Sequence, residues 1–213
     1  MTKVISVVNQ KGGVGKSTVA TNVASYLHLH DGPAMLVDLD PQGSAADWGD
    51  TREGENLMPI IKMGKSVARD LPQISAGYKW VVIDGAPQVS ELAAAAIRAA
   101  DVVLIPVQPS CYDIWASSDV VDLVKARQDV TGGKPAAAMM VSRAIKNTHL
   151  SRDVKEALQG FELPVLKAIT TQRIAYAALV GEGKSVLSLG VDDPALFEIK
   201  MLAKEIQELA NEI

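Results

Sequence analysis

The residue types best suited to chemistry lie near the start of the chain, where residues 11–18 read Lys-Gly-Gly-Val-Gly-Lys-Ser-Thr, directly after the apolar run of residues 4–8. A glycine-rich turn between a strand and a helix lets backbone N–H groups point at a polyphosphate, beside the positive end of the helix dipole. At this spacing Lys16 reaches the β- and γ-phosphates, the Ser17 hydroxyl ligates Mg²⁺, and Thr18 donates to the α-phosphate. The segment predicts a phosphate-binding loop; the alternative is a plain strand-to-helix turn.

This loop departs from the usual pattern at its first position. The pattern G-x-x-x-x-G-K-S/T places a glycine five residues before Gly15, and this chain has Gln10 there, followed by a second lysine, Lys11. The resulting Lys-Gly-Gly-x-Gly-Lys-Ser/Thr form resembles the deviant Walker A motif of the ParA/MinD family of ATPases. The resemblance implies ATP and Mg²⁺ as cofactors and a nucleotide-binding loop made of Lys11, Gly12, Gly13, Val14, Gly15, Lys16, Ser17 and Thr18.

Two carboxylates follow the second apolar run, in the segment Val-Asp-Leu-Asp-Pro-Gln-Gly of residues 37–43. Alternation along an extended chain places Asp38 and Asp40 on the same side. The resemblance implies that Asp40 positions the water that attacks the γ-phosphate, which makes it catalytic together with the two lysines, and that Asp38 lies near the outer shell of the metal. The alternative is an acidic turn that caps a short helix beginning near Ser44.

A third carboxylate, Asp84, follows the apolar run of residues 80–83. The segment resembles the Walker B element of the family. Asp84 is therefore expected to hold Mg²⁺ through a water, because this cation prefers oxygen ligands and keeps part of its hydration. Gly85 and Pro87 are expected to shape a loop that senses the γ-phosphate.

Two further segments carry weaker signals. Arg143 and residues 170–172 lie where members of the family contact the base, although Arg143 is equally explained as a solvated cation. Residues 109–113 resemble a loop near the dimer interface of the family. Alternatively, Ser110 and Asp113 cap the next helix and Cys111 is a packed small residue.

The elements that must position these residues follow from the sequence periodicity. Strand-like runs are predicted at residues 4–8, 34–37, 80–83, 102–107, 137–141 and 165–169, and helices at residues 16–30, 91–100, 114–130 and 151–159. Such alternation predicts an α/β fold with a mostly parallel sheet flanked by helices on both faces, the three-layer P-loop NTPase architecture. A length of 213 residues without a long linker predicts a single domain, 1–213.

Composition restricts the location of the protein. A single cysteine, Cys111, excludes an intrachain disulfide and a cage of several thiolates, and it is typical of a reducing cytoplasm. The chain enters a strand within three residues, and its longest alanine-rich stretch is interrupted by Arg98. We therefore expect neither a signal peptide nor a membrane span.

A second lysine needs an explanation, because Lys11 and Lys16 gripping the same phosphates from one subunit would repel each other for little gain. The resemblance implies that two subunits sandwich two ATP molecules, with Lys11 of each reaching the phosphates bound by the other. A homodimer is then expected when ATP is bound, and loss of the γ-phosphate separates it.

Other types of protein within this family are disfavoured, because each would require residues that this chain does not have. An iron–sulfur reductase would need paired cysteines between subunits. A membrane-associated type would end in a basic amphipathic helix. The tail of residues 194–213 instead has one apolar stripe and an acidic last part, so a terminal helix packed on the sheet is expected. The stripe is Leu202, Ile206, Leu209 and Ile213, and the acids are Glu205, Glu208 and Glu212.

Charge is unevenly distributed along the chain. The net charge is −4, yet residues 143–184 contain seven Lys or Arg against four acids. The resemblance to the partition type of the family implies DNA binding without sequence preference and association with the nucleoid. This basic segment is a candidate surface for it, and the alternative is a solvated charged face. The chain begins at its first strand, so we expect no N-terminal helix-turn-helix domain. The candidate DNA contacts are Arg152, Lys155, Lys167, Arg173 and Lys184.

The resulting functional prediction is an ATP hydrolase with slow basal turnover that segregates plasmid or chromosome DNA. Its implied partners are non-specific DNA and a co-encoded ParB-type or cargo-adaptor protein that stimulates hydrolysis. One alternative is positioning of a protein cargo, such as a chemoreceptor array or an enzyme compartment. A P-loop metabolic enzyme is a further alternative, which would need a dedicated acceptor pocket.

Overall fold

A computed structural model describes residues 1–55, 57–87, 91–145 and 150–212, without the side chains of residues 150–153 and 155. In these ranges six parallel strands form one sheet in the order β3-β2-β4-β1-β5-β6. The strands are β1 Lys3–Val7, β2 Ala34–Asp38, β3 Ile60–Lys62, β4 Trp80–Asp84, β5 Val102–Val107 and β6 Ala136–Val141.

Helices cover both faces of this sheet. One face packs against α1, α2, α8 and α9, and the other against α3, α4, α6 and α7. The predicted α/β fold with a parallel sheet between two helical layers is therefore confirmed. The helices are α1 Lys16–His30, α2 Ser44–Asp50, α3 Val67–Ile74, α4 Glu91–Ala99, α5 Cys111–Ala116, α6 Ser118–Thr131, α7 Leu150–Gln159, α8 Ile174–Gly181 and α9 Pro194–Asn211, with a 3₁₀ turn at Val186–Ser188.

The central strands read as continuous apolar runs because both of their faces are buried. Their register brings the functional segments to one edge of the sheet: Asp84 is paired with Val7 at the end of β1 and with Asp38 at the end of β2. Ligands of open parallel sheets bind at this carboxyl edge.

The segment of residues 165–169 is not the strand that its apolar residues predict. It makes one isolated bridge, between Val165 and Met139 of β6. The Leu166 amide still donates to the Met139 carbonyl at 2.9 Å, but the two amides that follow it, those of Lys167 and Ala168, donate to the carboxylate of Glu205 on α9, at 2.8 and 2.7 Å. A side chain from a distant helix thus replaces the ladder, which sequence periodicity does not reveal.

Other element boundaries also differ from the prediction. Short β3 and helix α8 were not predicted, and the helix expected at residues 114–130 is two helices, α5 and α6, that meet at Ser117. Cys111 is exposed, so its interpretation as a packed residue is wrong. Ser110 precedes α5 but forms no side-chain cap.

The C-terminal helix α9 packs on the sheet as predicted. Leu202 and Ile206 are fully buried in the same core as α1. Asp193 caps the helix by accepting from the Ala195 amide at 2.7 Å. Within the described ranges, no helix is both long and apolar enough to cross a membrane.

Candidate functional site

The phosphate-binding loop connects β1 to α1. Gly13 and Gly15 have φ angles of 78° and 90°, in the left-handed region that costs glycine little and other residues more. The buried Lys16 donates from Nζ to the Lys11 carbonyl at 2.9 Å. The loop therefore has the closed shape around its lysine that phosphate binding requires.

Side chains from neighbouring strand ends hold this loop. The Gly13 carbonyl accepts from Gln108 Nε2 at 2.6 Å and from Arg143 Nη1 at 2.7 Å. The Ser142 hydroxyl donates to the carbonyl of Val14, a residue that is fully buried. Gln108 and Ser142 each follow a strand directly, so inspection of every strand end would have found them.

Gln10 replaces the usual first glycine of the loop, and its position explains the replacement. Its side-chain amide donates to the Ala116 carbonyl at the end of α5. The preceding Asn9 donates to the Pro106 carbonyl at 2.8 Å and accepts from the Lys11 amide at 3.0 Å. Two amide side chains thus fix the start of the loop against the neighbouring strand and helix.

Asp84 lies at the centre of the site without hydrogen-bond partners. It is fully buried, and both carboxylate oxygens lack a partner within the described structure. Burial raises the pKa of Asp84 to about 7; the nearby Ser17 hydroxyl opposes the shift without forming a directed hydrogen bond, and the Asp38 charge adds to it. A buried carboxylate of this kind requires a cation or a proton.

The carboxylate of Asp38, unlike that of Asp84, accepts hydrogen bonds from the backbone. One of its oxygens accepts from the Asp40 amide and the other from the Ala46 amide, both at 2.9 Å. These two bonds fold residues 38–46 into a turn and fix the start of α2. Asp38 therefore shapes the loop that carries Asp40, in addition to placing negative charge beside Asp84.

Asp40 and Lys16 lie close together at the pocket. Both line it, and Asp40 Oδ1 also accepts from the Gln42 amide at 2.9 Å. Burial lowers the pKa of Lys16, while the charges of Asp84 and Asp40 oppose that shift. The ammonium of Lys16 is thus near two carboxylates, and a polyphosphate that binds in the pocket must compete with them for this ammonium.

Lys11 does not belong to the described lining of this pocket, whereas Gly12, Gly13 and residues 15–18 do. Its ammonium lies 4.0 Å from the carboxylate of Asp113 on α5, and its side chain is 44% exposed. The same short helix exposes Tyr112 and Trp115, whose rings meet edge to face at 5.6 Å. Lys11 is therefore directed toward α5 and solvent.

The remainder of the pocket extends from the phosphate loop to α8. Its volume is about 950 Å³. Arg143 is exposed and lines the pocket while bonded to the loop, so it is not simply a solvated cation. Residues 170–172, predicted near the base, line the same pocket together with Arg173, Ile174 and Tyr176.

A model of the CobQ/CobB/MinD/ParA nucleotide-binding domain matches residues 5–186 of the chain. The chain belongs to this family. The predicted membership of the ParA/MinD family is thereby confirmed. Maintenance of carboxysome distribution protein A from Halothiobacillus neapolitanus is 29% identical, over 98% of this chain and 95% of that protein.

Further relatives of this ParA/MinD-type chain span nearly its whole length. Chromosome-partitioning ATPase Soj from Thermus thermophilus is 27% identical, over 98% of this chain and 96% of that protein. The fold is shared with an ATP complex of a Cyanothece McdA variant, with a TM-score of 0.81 at 16% identity, covering 97% and 96% of the two chains. Both comparisons therefore extend over nearly the whole of this chain and of the matched protein.

The ParA/MinD-type site fits a hydrated Mg²⁺ at Asp84 and Ser17. Asp84 offers two buried oxygens without partners, and Ser17 lies beside it at the start of α1. The ion would be held by Ser17 directly and by Asp84 through water, and when bound it neutralises charge on the phosphates. In the described residues no cluster of three or more His, Cys, Asp or Glu side chains is arranged to hold a metal ion.

Of the cations predicted to contact DNA, the structure describes the side chains of three, and Lys167 and Lys184 are exposed whereas Arg173 is not. Arg173 is only 20% exposed, lines the nucleotide pocket, and pairs with Glu198 at 2.6 Å. We therefore place Arg173 in the pocket wall and no longer among the DNA candidates. Lys184 is exposed and pairs with Glu182 at 2.9 Å, and the side chains of Arg152 and Lys155 lie outside the described part.

Glu198 itself was missed by the sequence analysis. It lies on α9, at least 180 residues after the loop, and belongs to no motif. The sequence supplies no signal for it, because its role depends on the packing of α9 beside the segment that precedes α8.

Proposed function

We propose that this ParA/MinD-type protein hydrolyses ATP slowly, dimerises when ATP is bound, and binds DNA without sequence preference. A partner protein then stimulates hydrolysis and releases the dimer, which segregates plasmid or chromosome DNA. The observation that carries the proposal is the position of the two lysines: Lys16 lies in the pocket, whereas Lys11 points away from it toward α5.

The dimer follows from that difference between the lysines. Among the described residues Lys11 pairs only with Asp113, at 4.0 Å and with its own side chain partly in solvent, a geometry that contributes little stability by itself. A triphosphate in a second subunit offers more charge at closer range. The exposed Tyr112 and Trp115 beside it supply the apolar area that a specific contact needs.

Hydrolysis is assigned to Asp40 with Asp84 and Ser17. Asp40 lines the pocket next to Lys16, where a carboxylate can orient a water for attack on the terminal phosphate. Mg²⁺ at Ser17 and Asp84 supports the same phosphates. Slow basal turnover is expected, because dimer formation and a partner are needed to complete the site.

The cargo is either DNA itself or a protein assembly carried on DNA. Soj is named for chromosome partitioning, which supports the first option. Maintenance of carboxysome distribution protein A supports the second option, at 29% identity against 27% for Soj over the same 98% of this chain. Both options use the same ATPase and predict association with the nucleoid. A metabolic enzyme of the CobQ/CobB type is the remaining alternative, and it would turn over without DNA.

A direct test measures the ATPase rate alone, with random DNA, and with the small protein encoded next to it. A slow rate that both additions raise supports the proposal. A high rate that neither addition changes would favour the metabolic alternative. DNA retention should require ATP and weaken steeply between 50 and 200 mM salt, by orders of magnitude.

The dimer is tested separately by sedimentation velocity with a non-hydrolysable ATP analogue. Lys11→Gln should keep nucleotide binding and lose the dimer. Lys125→Gln is the matched control, because Lys125 pairs with Glu162 and does not line the pocket. An unimpaired dimer of Lys11→Gln would contradict the assignment of Lys11 across the interface.

A further inference from the structure

The nucleotide pocket has two walls of different chemistry. The phosphate loop forms one, and residues 170–174 with part of α8 form the other. A volume of about 950 Å³ lies near the upper end of small-molecule pockets and has room for a nucleoside beside a triphosphate. The second wall combines the polar Thr171 and Gln172 with the apolar Ile174, Ala177 and Val180, as suits a sugar and a flat base.

This second wall is fastened to one carboxylate, that of Glu198 on α9. Its Oε1 accepts from the Thr171 hydroxyl at 2.8 Å and from Arg173 Nε and Nη2 at 3.0 and 2.6 Å. Its Oε2 accepts from the Thr171 amide and from the Tyr176 hydroxyl, both at 3.0 Å. One side chain therefore receives hydrogen bonds from three residues of the wall.

The charge of Glu198 is maintained by these contacts. Burial opposes it, but the hydrogen bonds from Arg173, Thr171 and Tyr176 outweigh burial and hold the pKa of Glu198 below its usual range. The side chain is only 10% exposed, so solvent does little to weaken the ion pair in which Arg173 donates twice to Oε1. Glu198 therefore keeps its negative charge at neutral pH.

The wall is also joined to the phosphate loop at its other end. The Gln172 amide donates to the Ala144 carbonyl and the Ala144 amide donates to the Thr170 carbonyl, each at 2.9 Å. The neighbouring Arg143 donates to Gly13 of the phosphate loop. Residues 170–172 are therefore held between Glu198 on one side and the loop-binding segment on the other.

We propose that Glu198 is a positioning residue for the nucleoside half of the bound nucleotide, acting through Thr171, Arg173 and Tyr176. The inference rests on the proposed function in one respect, that the pocket takes ATP. It adds that helix α9 sets the affinity for the nucleoside while the phosphate loop sets the affinity for the triphosphate.

Glu205, on the same helix, provides a matched comparison. It accepts two hydrogen bonds, from the amides of Lys167 and Ala168, where Glu198 accepts five, and neither of those residues lines the pocket. Removal of either glutamate takes away an anchor between α9 and the segment that precedes α8. Only removal of Glu198 is expected to disturb the pocket wall.

The test compares ATP with inorganic tripolyphosphate by titration calorimetry, each with Mg²⁺ and without DNA or partner. Glu198→Ala should weaken ATP binding about tenfold or more, since misplaced binding groups cost one to two orders of magnitude. Tripolyphosphate affinity should change less than about twofold. Glu205→Ala should leave the ratio of the two affinities unchanged, and Glu198→Gln should restore part of the ATP affinity.

An unchanged ATP-to-tripolyphosphate ratio in Glu198→Ala, with normal binding by the unaltered protein, would overturn the role of Glu198 alone. That outcome includes an equal loss of affinity for both ligands, which would show that Glu198 has a general structural role. If Glu198→Ala does not fold, Glu198→Gln is read by the same ratio, with a smaller loss expected. Failure of the unaltered protein to bind ATP would overturn the proposed function as well.

Discussion

The ammonium of Lys11 lies 4.0 Å from the carboxylate of Asp113, so the second lysine of the phosphate loop is paired with α5 and lies outside its own pocket. The two residues are about one hundred positions apart in the chain. Gln10 and Asn9 hold the start of the loop against the same region. The direction of Lys11 is thus set by contacts that its motif does not contain.

Asp113→Asn should strengthen the ATP-dependent dimer about two- to threefold, because it removes a partner that competes with phosphate for Lys11 at the strength of an exposed pair. Sedimentation velocity over a concentration series with a non-hydrolysable analogue measures this. Asp119→Asn, an exposed residue on α6, is a control with the same charge change. A weaker dimer in Asp113→Asn would mean that Asp113 orients Lys11 for its partner.

Asp40→Ala should slow hydrolysis by about 100-fold or more, the usual contribution of a positioned acid or base, and should trap an ATP-bound dimer. Phosphate release and sedimentation with ATP itself measure the two effects. Asp50→Ala, at the exposed end of α2, is the control. Normal turnover in Asp40→Ala would remove Asp40 from the mechanism.

Asp84→Asn should stabilise the protein when nucleotide and Mg²⁺ are absent. In the folded state the pKa of Asp84 rises from 3.8 to about 7, so between these pH values the folded protein binds more protons than the unfolded chain. Its free energy of unfolding therefore falls as pH increases through this window. The neutral amide of the variant does not lose stability in this way. Asp84→Asn should therefore have a free energy of unfolding higher by at least about 1 kcal/mol at pH 7, which corresponds to roughly 2–4 °C in Tm.

Thermal unfolding of both proteins at pH 5 and pH 7.5, with EDTA, measures the Asp84 effect. The Tm difference should be larger at pH 7.5. Asp84→Asn should at the same time bind ATP no better with Mg²⁺ than without it. A difference that shrinks as pH rises would show that Asp84 keeps its charge at low cost through a partner of its own.

Gly183→Ala should destabilise the protein by about 2–4 kcal/mol, from a left-handed backbone and from overlap in a packed site. Gly183 has a φ of 63°, and an added Cβ would lie 2.2 Å from the Thr51 carbonyl oxygen. Gly181→Ala, at the end of α8 with open space around it, should change stability by less than about 1 kcal/mol. Urea unfolding measures both, and equal stability of the two variants would contradict the close contact.

Gly183 also shows how the nucleotide wall is connected to the Asp40 side of the site. The Trp48 indole of α2 donates to the Lys184 carbonyl at 3.1 Å, and Asn22 of α1 accepts from the Val186 amide at 2.9 Å. The segment after α8 is therefore packed against the helix that follows the Asp40 loop. No sequence pattern indicates these contacts, since each joins residues far apart in the chain.

The phosphate loop, the position of Asp84 and the parallel sheet were all predictable, because each depends on neighbouring residues. Apolar runs buried on both faces define β1, β4 and β5, and a glycine-rich turn after β1 has few other uses. The residues after each strand meet at one edge by the rule of parallel sheets. Arg143 was proposed from the family resemblance and also lies just after a strand, as Gln108 and Ser142 do.

The sequence by itself determined that the chain has a nucleotide-binding site, since phosphate binding by a backbone turn is a local property of a few residues. The tertiary structure decided where Lys11 points, that Asp38 shapes a turn, and that Arg173 belongs to the pocket wall through Glu198. Each of these depends on which distant side chain satisfies a charge or an amide. Burial makes such pairing obligatory, but only the packed fold selects the partner.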